Sequence, residues 1–153
     1  MPGTNAKMNE FQALMGMLIL RHLDGIIGQS RLINALYRER LEEIPGIKFP
    51  PPQPHNVSYN YAYEPVEIIE EEFGMSRDAL YEKLKEHNVH CRRYFYPLVC
   101  DFSCYRGVSC TDPLSTARSV AERIITLPIY DSLMLNDVNL ICDIVINIHN
   151  SCQ

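Results

Sequence analysis

The sequence predicts an α+β fold: a small antiparallel or mixed sheet with helices on one face, entered through two N-terminal helices. Two patterns carry that expectation. From Val57 onward the apolar spacing alternates between two and about 3.6, in the order strand, helix, strand, helix, strand, helix. Ahead of it, Phe11, Leu14, Met15, Leu18 and Ile19 recur at helical spacing, and Met17 and Leu20 widen the stripe until little of the circumference is polar. A helix apolar nearly all round needs cover on several sides. The residues that follow are too few to supply it.

That first helix follows a polar turn, Gly3-Thr4-Asn5, and is expected to run to Leu23. A helix N-terminus carries unpaired N–H groups and the positive end of the dipole, which suits a phosphate or carboxylate. Asn5 there is either a helix cap or a neutral donor to such an anion. Asp24-Gly25 should break the helix. A second one follows, with Ile26, Ser30, Ile33, Tyr37, Leu41 and Ile44 on one face and Arg31, Arg38, Glu39, Arg40 and Glu42 on the other, until Pro45-Gly46 stops it. The expected division falls there, with residues 1–46 helical and 47–153 forming the α+β unit.

Pro50-Pro51-Pro52-Gln53-Pro54 reads as a stiff surface connector, although such tracts also dock in SH3-type grooves. Val57, Tyr59, Tyr61 and Tyr63 alternate with smaller or polar residues, the pattern of a half-buried strand, which Ile68-Ile69 either extends or follows. Glu70, Glu71 and Glu72 form a solvated charge run. Ser76 is placed to cap a helix from Arg77 to His87, with Leu80 and Leu84 inward and Asn88 as the stop. Val89 to Tyr96 should be the next strand, with Cys91, Arg93 and Phe95 on one side and Arg92, Tyr94 and Tyr96 on the other. An arginine and two tyrosines beside Pro97 make a polar wall for a hydroxylated ligand, and Arg93 would serve a diphosphate equally well. The same residues also fit a plain strand with core tyrosines and solvated arginines.

Leu98 to Leu114 is a long connection of the kind often functional or mobile. Ser115 should cap a helix to about Ile124, with Val120, Ala121 and Ile124 inward. Ile125 to Ile129 reads as a short strand in which Pro128 implies an edge or a bulge. Asn136 should cap a last helix with Val138, Ile141, Val145 and Ile148 on its apolar face, fraying from Asn147. There is no internal repeat.

Composition narrows the function. Net charge is −5, and the longest basic run is the pair Arg92-Arg93, which argues against a nucleic-acid groove. No apolar run is long enough to span a bilayer, and no secretory pattern opens the chain, so the cytoplasm is the expected compartment. Six cysteines contain no C-x2-C pair and are expected to be reduced thiols. His87 and His90 lack an evident third ligand, so no metal site is expected.

Three ordered landmarks add a resemblance. Gly3-x-Asn5-x-Lys7-Met8-x-Glu10-x-x-Ala13-x-x-Gly16, then Arg92-Arg93-Tyr94-Phe95-Tyr96-Pro97-Leu98, then Thr126-Leu127-Pro128-Ile129-Tyr130 resemble the C-terminal part of the DegT/DnrJ/StrS family. These are pyridoxal-phosphate-dependent aminotransferases of nucleotide-linked keto sugars, serving amino-sugar and surface-polysaccharide biosynthesis. The resemblance implies the C-terminal small domain of a fold-type I aminotransferase, joined by the two helices to a large cofactor domain that this chain does not include. It implies that the catalytic lysine, the aspartate and most phosphate ligands precede the equivalent of Gly3. No catalytic residue is therefore assigned, and the chain, a truncated gene or an excised piece, is not expected to transaminate or hold the cofactor alone. By the same resemblance Asn5 reaches the cofactor phosphate of a dimer partner, the N-terminal helices form a homodimer, and Arg93, Tyr94 and Tyr96 border the nucleotide-sugar site. Val99 stands where the family often has histidine, which leaves the sugar open. A regulatory small-molecule module and a pure oligomerisation piece remain alternatives.

Overall fold

The computed structural model describes residues 6–94, 96–105 and 112–153. Two helices come first, α1 (Glu10–Leu20) and α2 (Leu23–Leu41), then strands β1 (Ile47–Lys48) and β2 (Glu64–Ile68). The short α3 (Glu70–Phe73) and α4 (Arg77–Glu86) lead to β3 (Arg92–Arg93) and two 3-10 turns, Val99–Asp101 and Ser103–Tyr105. The chain closes with α5 (Ser115–Arg123), β4 (Ile124–Leu127) and α6 (Leu135–Asn150). The strands form one antiparallel sheet in the order β1-β2-β4-β3.

One face of that sheet makes the core. Val66 and Ile68 of β2 and Ile125 and Leu127 of β4 are buried with Ile33, Tyr37 and Leu41 of α2, Leu80 and Leu84 of α4, and Val138, Ile141 and Val145 of α6. Each such side chain contributes about 1.5–3 kcal/mol by leaving water. The helical stripes on α4 and α6 are thus the ones their spacing predicts, and that on α2 holds from Ser30 to Leu41. The helix ends at Leu41, so Ile44, expected on it, lies beyond its end and is half-buried, as is Ile26. Ser76 caps α4 by accepting from the Ala79 amide at 3.3 Å, and Asn88 beyond its end takes the left-handed conformation. On β2 the alternate residue Glu67 meets α5 through Arg123, 3.0 Å away.

α1 is well formed and uncovered. Asn9 and Gln12 cap it reciprocally, each backbone N–H donating to the other's side-chain oxygen at 2.9 Å. None of its residues is buried, and Phe11 is 81% exposed. The expected turn at Gly3 to Asn5 lies outside the described residues. The break between the helices falls at Arg21-His22, not at Asp24-Gly25, which sit in the first turn of α2, where an aspartate suits the dipole.

Several elements differ from expectation. Val57 to Tyr63 is not a strand: Tyr61 has φ 50°, and Asn60 Oδ1 accepts from the Ala62 amide at 3.1 Å, a local turn that ends the extended path. The strand starts at Glu64 instead. It tolerates Pro65 because β1 pairs only with Glu67 and Ile68, leaving no strand beside the proline on that side. β4 is an interior strand rather than an edge, since it ends at Leu127 and Pro128 lies just beyond. Among the described residues of the expected Val89–Tyr96 strand, Arg92 and Arg93 alone pair with a neighbouring strand. Ser115 is inside α5, preceded by Leu114 at φ 52° whose amide donates to Asp112 Oδ1. Val120 is exposed and Ile124 half-buried, so Ala121 alone of the three expected inward residues is buried. Met134, not Asn136, precedes α6, and the helix does not fray at Asn147. Ile148 and His149 are buried, and His149 Nδ1 bonds the Phe73 carbonyl at 3.0 Å.

Candidate functional site

The edge strand β3 sends its two arginines to opposite sides. Arg93 turns toward α4, where Nε lies 2.9 Å from Asp78 Oδ1 and Nη2 3.9 Å from Glu82 Oε1. Its guanidinium sits 4.6 Å from the Tyr81 ring centre and 5.5 Å from that of Tyr96. Arg77 joins from the first turn of α4. Its side chain is 1% exposed, its Nε lies 2.7 Å from the same Asp78 oxygen, and its Nη1 donates to the Ile124 carbonyl at 2.6 Å. The Tyr96 ring is 5.1 Å from Arg77 as well. One carboxylate therefore bridges two guanidiniums, and both lie against one tyrosine. That ring is half-exposed and marks the outer surface of the cluster.

Arg92 points the other way. It is exposed and lines a cleft of about 360 Å3 with Tyr63, His90, Thr126 and Tyr130. Thr126 Oγ1 donates to the Arg92 carbonyl at 3.2 Å, fixing the backbone there. Tyr94 packs on Tyr63, ring centres 5.2 Å apart. The structure thus brings Arg93 and Tyr96 together and leaves Tyr94 on another ring. The expectation that Tyr96 shares a face with Arg92 and Tyr94 does not hold. Pairing ends at Arg93 and the chain turns at Tyr94, so the alternation stops before Tyr96. Asn5 and Phe95 lie outside the described residues.

Sequence reasoning missed two groups. Arg77 reads as a surface helix residue, yet it is buried under Tyr96. Glu64 falls in a tyrosine-rich run, yet its carboxyl is enclosed and bonded to Asn34, thirty residues earlier in the chain. Arg77 carries no signal beside Ser76 and Asp78 at a helix start, and Glu64 shows its burial only by sharing a face with Val66 and Ile68, two and four residues on.

Pyridoxal phosphate is held through a lysine in the family that the sequence resembles, and the lysines here do not fit that role. Lys48 pairs with Glu72, Lys83 with Glu86 and Lys85 with Glu82, all on the surface, and Lys7 is exposed. All four side chains are exposed. Among the described residues no group of three His, Cys, Asp or Glu side chains is placed to hold a metal. Burial pushes the Cys91 thiol up to about 12 and the Cys142 thiol to about 11, which makes both poor nucleophiles. No helix among these residues is long and apolar enough to cross a membrane.

Comparison with known proteins agrees with the landmarks. Residues 1–146 match the sequence model of the DegT/DnrJ/EryC1/StrS aminotransferase family. The dTDP-4-amino-4,6-dideoxy-D-glucose transaminase of Escherichia coli is 42% identical over 134 residues, 86% of this chain and 36% of that one. The GDP-perosamine synthase of Vibrio cholerae is 26% identical over 146 residues, 95% of this chain and 39% of that one. Among solved structures, DesI in the presence of its TDP-sugar product superposes with TM-score 0.85 at 33% identity, covering 98% of this chain and 38% of its own. The chain spans somewhat over a third of the length of these relatives. Matched by sequence from its first residue to its 146th and by fold along nearly its whole length, the chain belongs to the DegT/DnrJ/EryC1/StrS aminotransferase family.

Proposed function

We propose that this chain is the C-terminal part of a pyridoxal-phosphate-dependent aminotransferase acting on a nucleotide-linked keto sugar in amino-sugar biosynthesis, and that it does not transaminate alone. The observation that carries this reading is α1: a capped, nearly all-apolar helix with none of its residues buried. Such a face is shaped for other protein. A large cofactor domain and a second subunit are the occupants the family offers, so a homodimer through the N-terminal helices is part of the proposal. Residues 1–46 then link to the large domain and 47–153 form the small one, to whose core the second half of α2 adds Ile33, Tyr37 and Leu41. The four surface lysines support placing the Schiff-base lysine elsewhere. The names of the relatives support the substrate class.

In this reading Asn5 donates to the cofactor phosphate held by the partner subunit. Arg93 is already held by Asp78 and Glu82, so its part at the nucleotide-sugar site is to fix the Tyr96 ring at the rim. Tyr94, packed on Tyr63, borders the same edge. The exposed face of α1 also fits the second reading, a module that only oligomerises.

Incubation with pyridoxal phosphate followed by borohydride and peptide mass mapping tests the first reading. No adduct on Lys7, Lys48, Lys83 or Lys85 is expected beyond that of the unfolded chain, and a stoichiometric adduct on one of them overturns it. Adding the N-terminal two-thirds of the E. coli relative in trans separates the readings. Restored turnover supports the enzyme part, and a stable dimer that never supports turnover supports the oligomerisation module.

A further inference from the structure

The proline tract, the tyrosine-rich coil and α2 enclose a second cleft, of about 380 Å3, away from the Arg93 cluster. That volume falls in the range of small-molecule pockets. Glu64 is among its lining residues, 1% exposed, and its two carboxylate oxygens differ. Oε2 accepts from Asn34 Nδ2 at 2.5 Å, whereas Oε1 is buried with no hydrogen-bond partner. A buried acceptor left unmade costs about 1–3 kcal/mol, more when charged, so a native structure keeps one where something else completes it. Asn34 lines the same cleft, and its amide oxygen, which takes no part in that bond, is a second acceptor there.

The surroundings select among donors. Arg38 lines the same cleft and already lowers the proton affinity of Glu64, opposing the effect of burial. Its guanidinium is committed, donating to the Pro50 carbonyl at 2.8 Å and lying 4.9 Å from the Phe49 ring centre. A cationic ligand would meet that fixed positive charge, and an anionic one would meet Glu64. A neutral ligand with O–H donors avoids both. Tyr59, Tyr61 and Tyr63 line the cleft, the first two rings edge to face at 4.8 Å, which suits a ring with one apolar side. We propose that this cleft is a carbohydrate-binding site, in which Glu64 Oε1 and Asn34 Oδ1 accept from neighbouring hydroxyls of a neutral sugar ring laid against the tyrosines. The proposal stands apart from the aminotransferase reading, because it needs neither cofactor nor second subunit.

Two-dimensional NMR of the whole chain at about pH 8, above the Glu64 pKa of about 7 so that the carboxylate is ionised, titrated with methyl β-D-glucoside and with its 6-deoxy counterpart, tests it. Saturable shifts at the Asn34 side-chain amide and at residues 59–63 are expected, with midpoints of roughly 1–50 mM, as befits a few contacts to one ring. Glu64→Gln supplies the decisive control. The Asn34 donor requires an oxygen at the Oε2 position, so the glutamine amide nitrogen takes the Oε1 position and the acceptor becomes a donor. Binding should weaken at least about tenfold, one lost charged hydrogen bond's worth. Should that variant fail to fold, Tyr59→Leu, in the surface coil, should weaken binding about threefold through the lost ring face. No saturable shift up to about 100 mM sugar, or shifts unchanged in both variants, overturns the proposal. So does the same shift pattern from sugar-free dTDP or from ethanolamine, which would make the cleft a nucleotide or an amine site.

Discussion

The Tyr37 hydroxyl donates to the carbonyl of Pro128 at 3.0 Å, tying the middle of α2 to the residue just past β4. Tyr37 is fully buried, and burial drives its phenol well above the usual range, so it remains a donor at any working pH. Tyr37→Phe keeps the ring and strands the carbonyl. It should lower unfolding free energy by about 1–2 kcal/mol with no change in m-value, read by urea denaturation.

Glu64 gives a pH prediction. Burial raises its pKa from the usual 4.5 to about 7, against the lowering effects of Asn34 and Arg38. The native state thus binds the proton more tightly than the unfolded chain. Stability from this group is present below pH 4.5 and is lost as pH rises toward 7, by up to about 3 kcal/mol. Glu64→Gln removes the titration and keeps the Asn34 bond. It should match the parent near pH 4.5 and exceed it by about 1–3 kcal/mol at pH 8, in paired denaturation curves. Parallel curves for the two proteins across that window would contradict the burial argument.

The helical half of this fold is legible in the sequence and the sheet much less so. Ile33, Tyr37 and Leu41, or Val138, Ile141 and Val145, declare their face by a period that only local geometry sets. Strand positions depend on distant partners. Tyr59, Tyr61 and Tyr63 alternate as well as any strand, but Tyr61 turns left-handed and Glu64–Ile68 takes the place beside β4, with a proline that argues against it locally. The site divides the same way. That Arg92 and Arg93 diverge follows from their being neighbours on a strand. That Asp78 bridges Arg77 and Arg93, or that Asn34 finds Glu64, depends on contacts no local pattern contains.

Asp78 and Glu82 both pair with Arg93, and their removal should differ. Glu82 is exposed and 3.9 Å away, so Glu82→Ala should cost less than about 0.5 kcal/mol. Asp78 also serves the enclosed Arg77 guanidinium, which Asp78→Ala leaves with the Ile124 carbonyl as its remaining hydrogen bond. A buried charge that loses its partner costs about 3–5 kcal/mol, and since Asp78 itself is half-exposed a loss of about 2–3 is expected. Equal effects of the two substitutions would show that water reaches Arg77.

α1 separates stability from association. Leu18→Glu places a charge on a helix with no buried residue, so unfolding of the isolated chain should change by less than about 0.5 kcal/mol. Leu84→Ala, in the core, should cost about 2–5 kcal/mol. In sedimentation equilibrium the first variant should abolish self-association and the second should leave it proportional to the folded fraction. A large stability loss from Leu18→Glu would mean that α1 packs on its own chain.

The same substitution should act with opposite sign at two glycines. Gly28 lies within α2, and a Cβ built there meets nothing within 4 Å. Gly28→Ala removes backbone freedom from the unfolded chain at no steric cost and should stabilise by about 0.5–1 kcal/mol. Gly46 has φ 80°, and a Cβ there would come 2.3 Å from the Phe73 amide nitrogen and 2.6 Å from its Cβ. Its carbonyl also accepts from the Ile69 amide at 2.8 Å, so the backbone cannot retreat without losing that bond beside the β1–β2 pairing. Left-handed strain of about 1–2 kcal/mol adds to the displacement of a fully buried phenylalanine, and Gly46→Ala should destabilise by about 3 kcal/mol or more. Thermal melts of the two single variants and the double should be additive, since the sites share no partner.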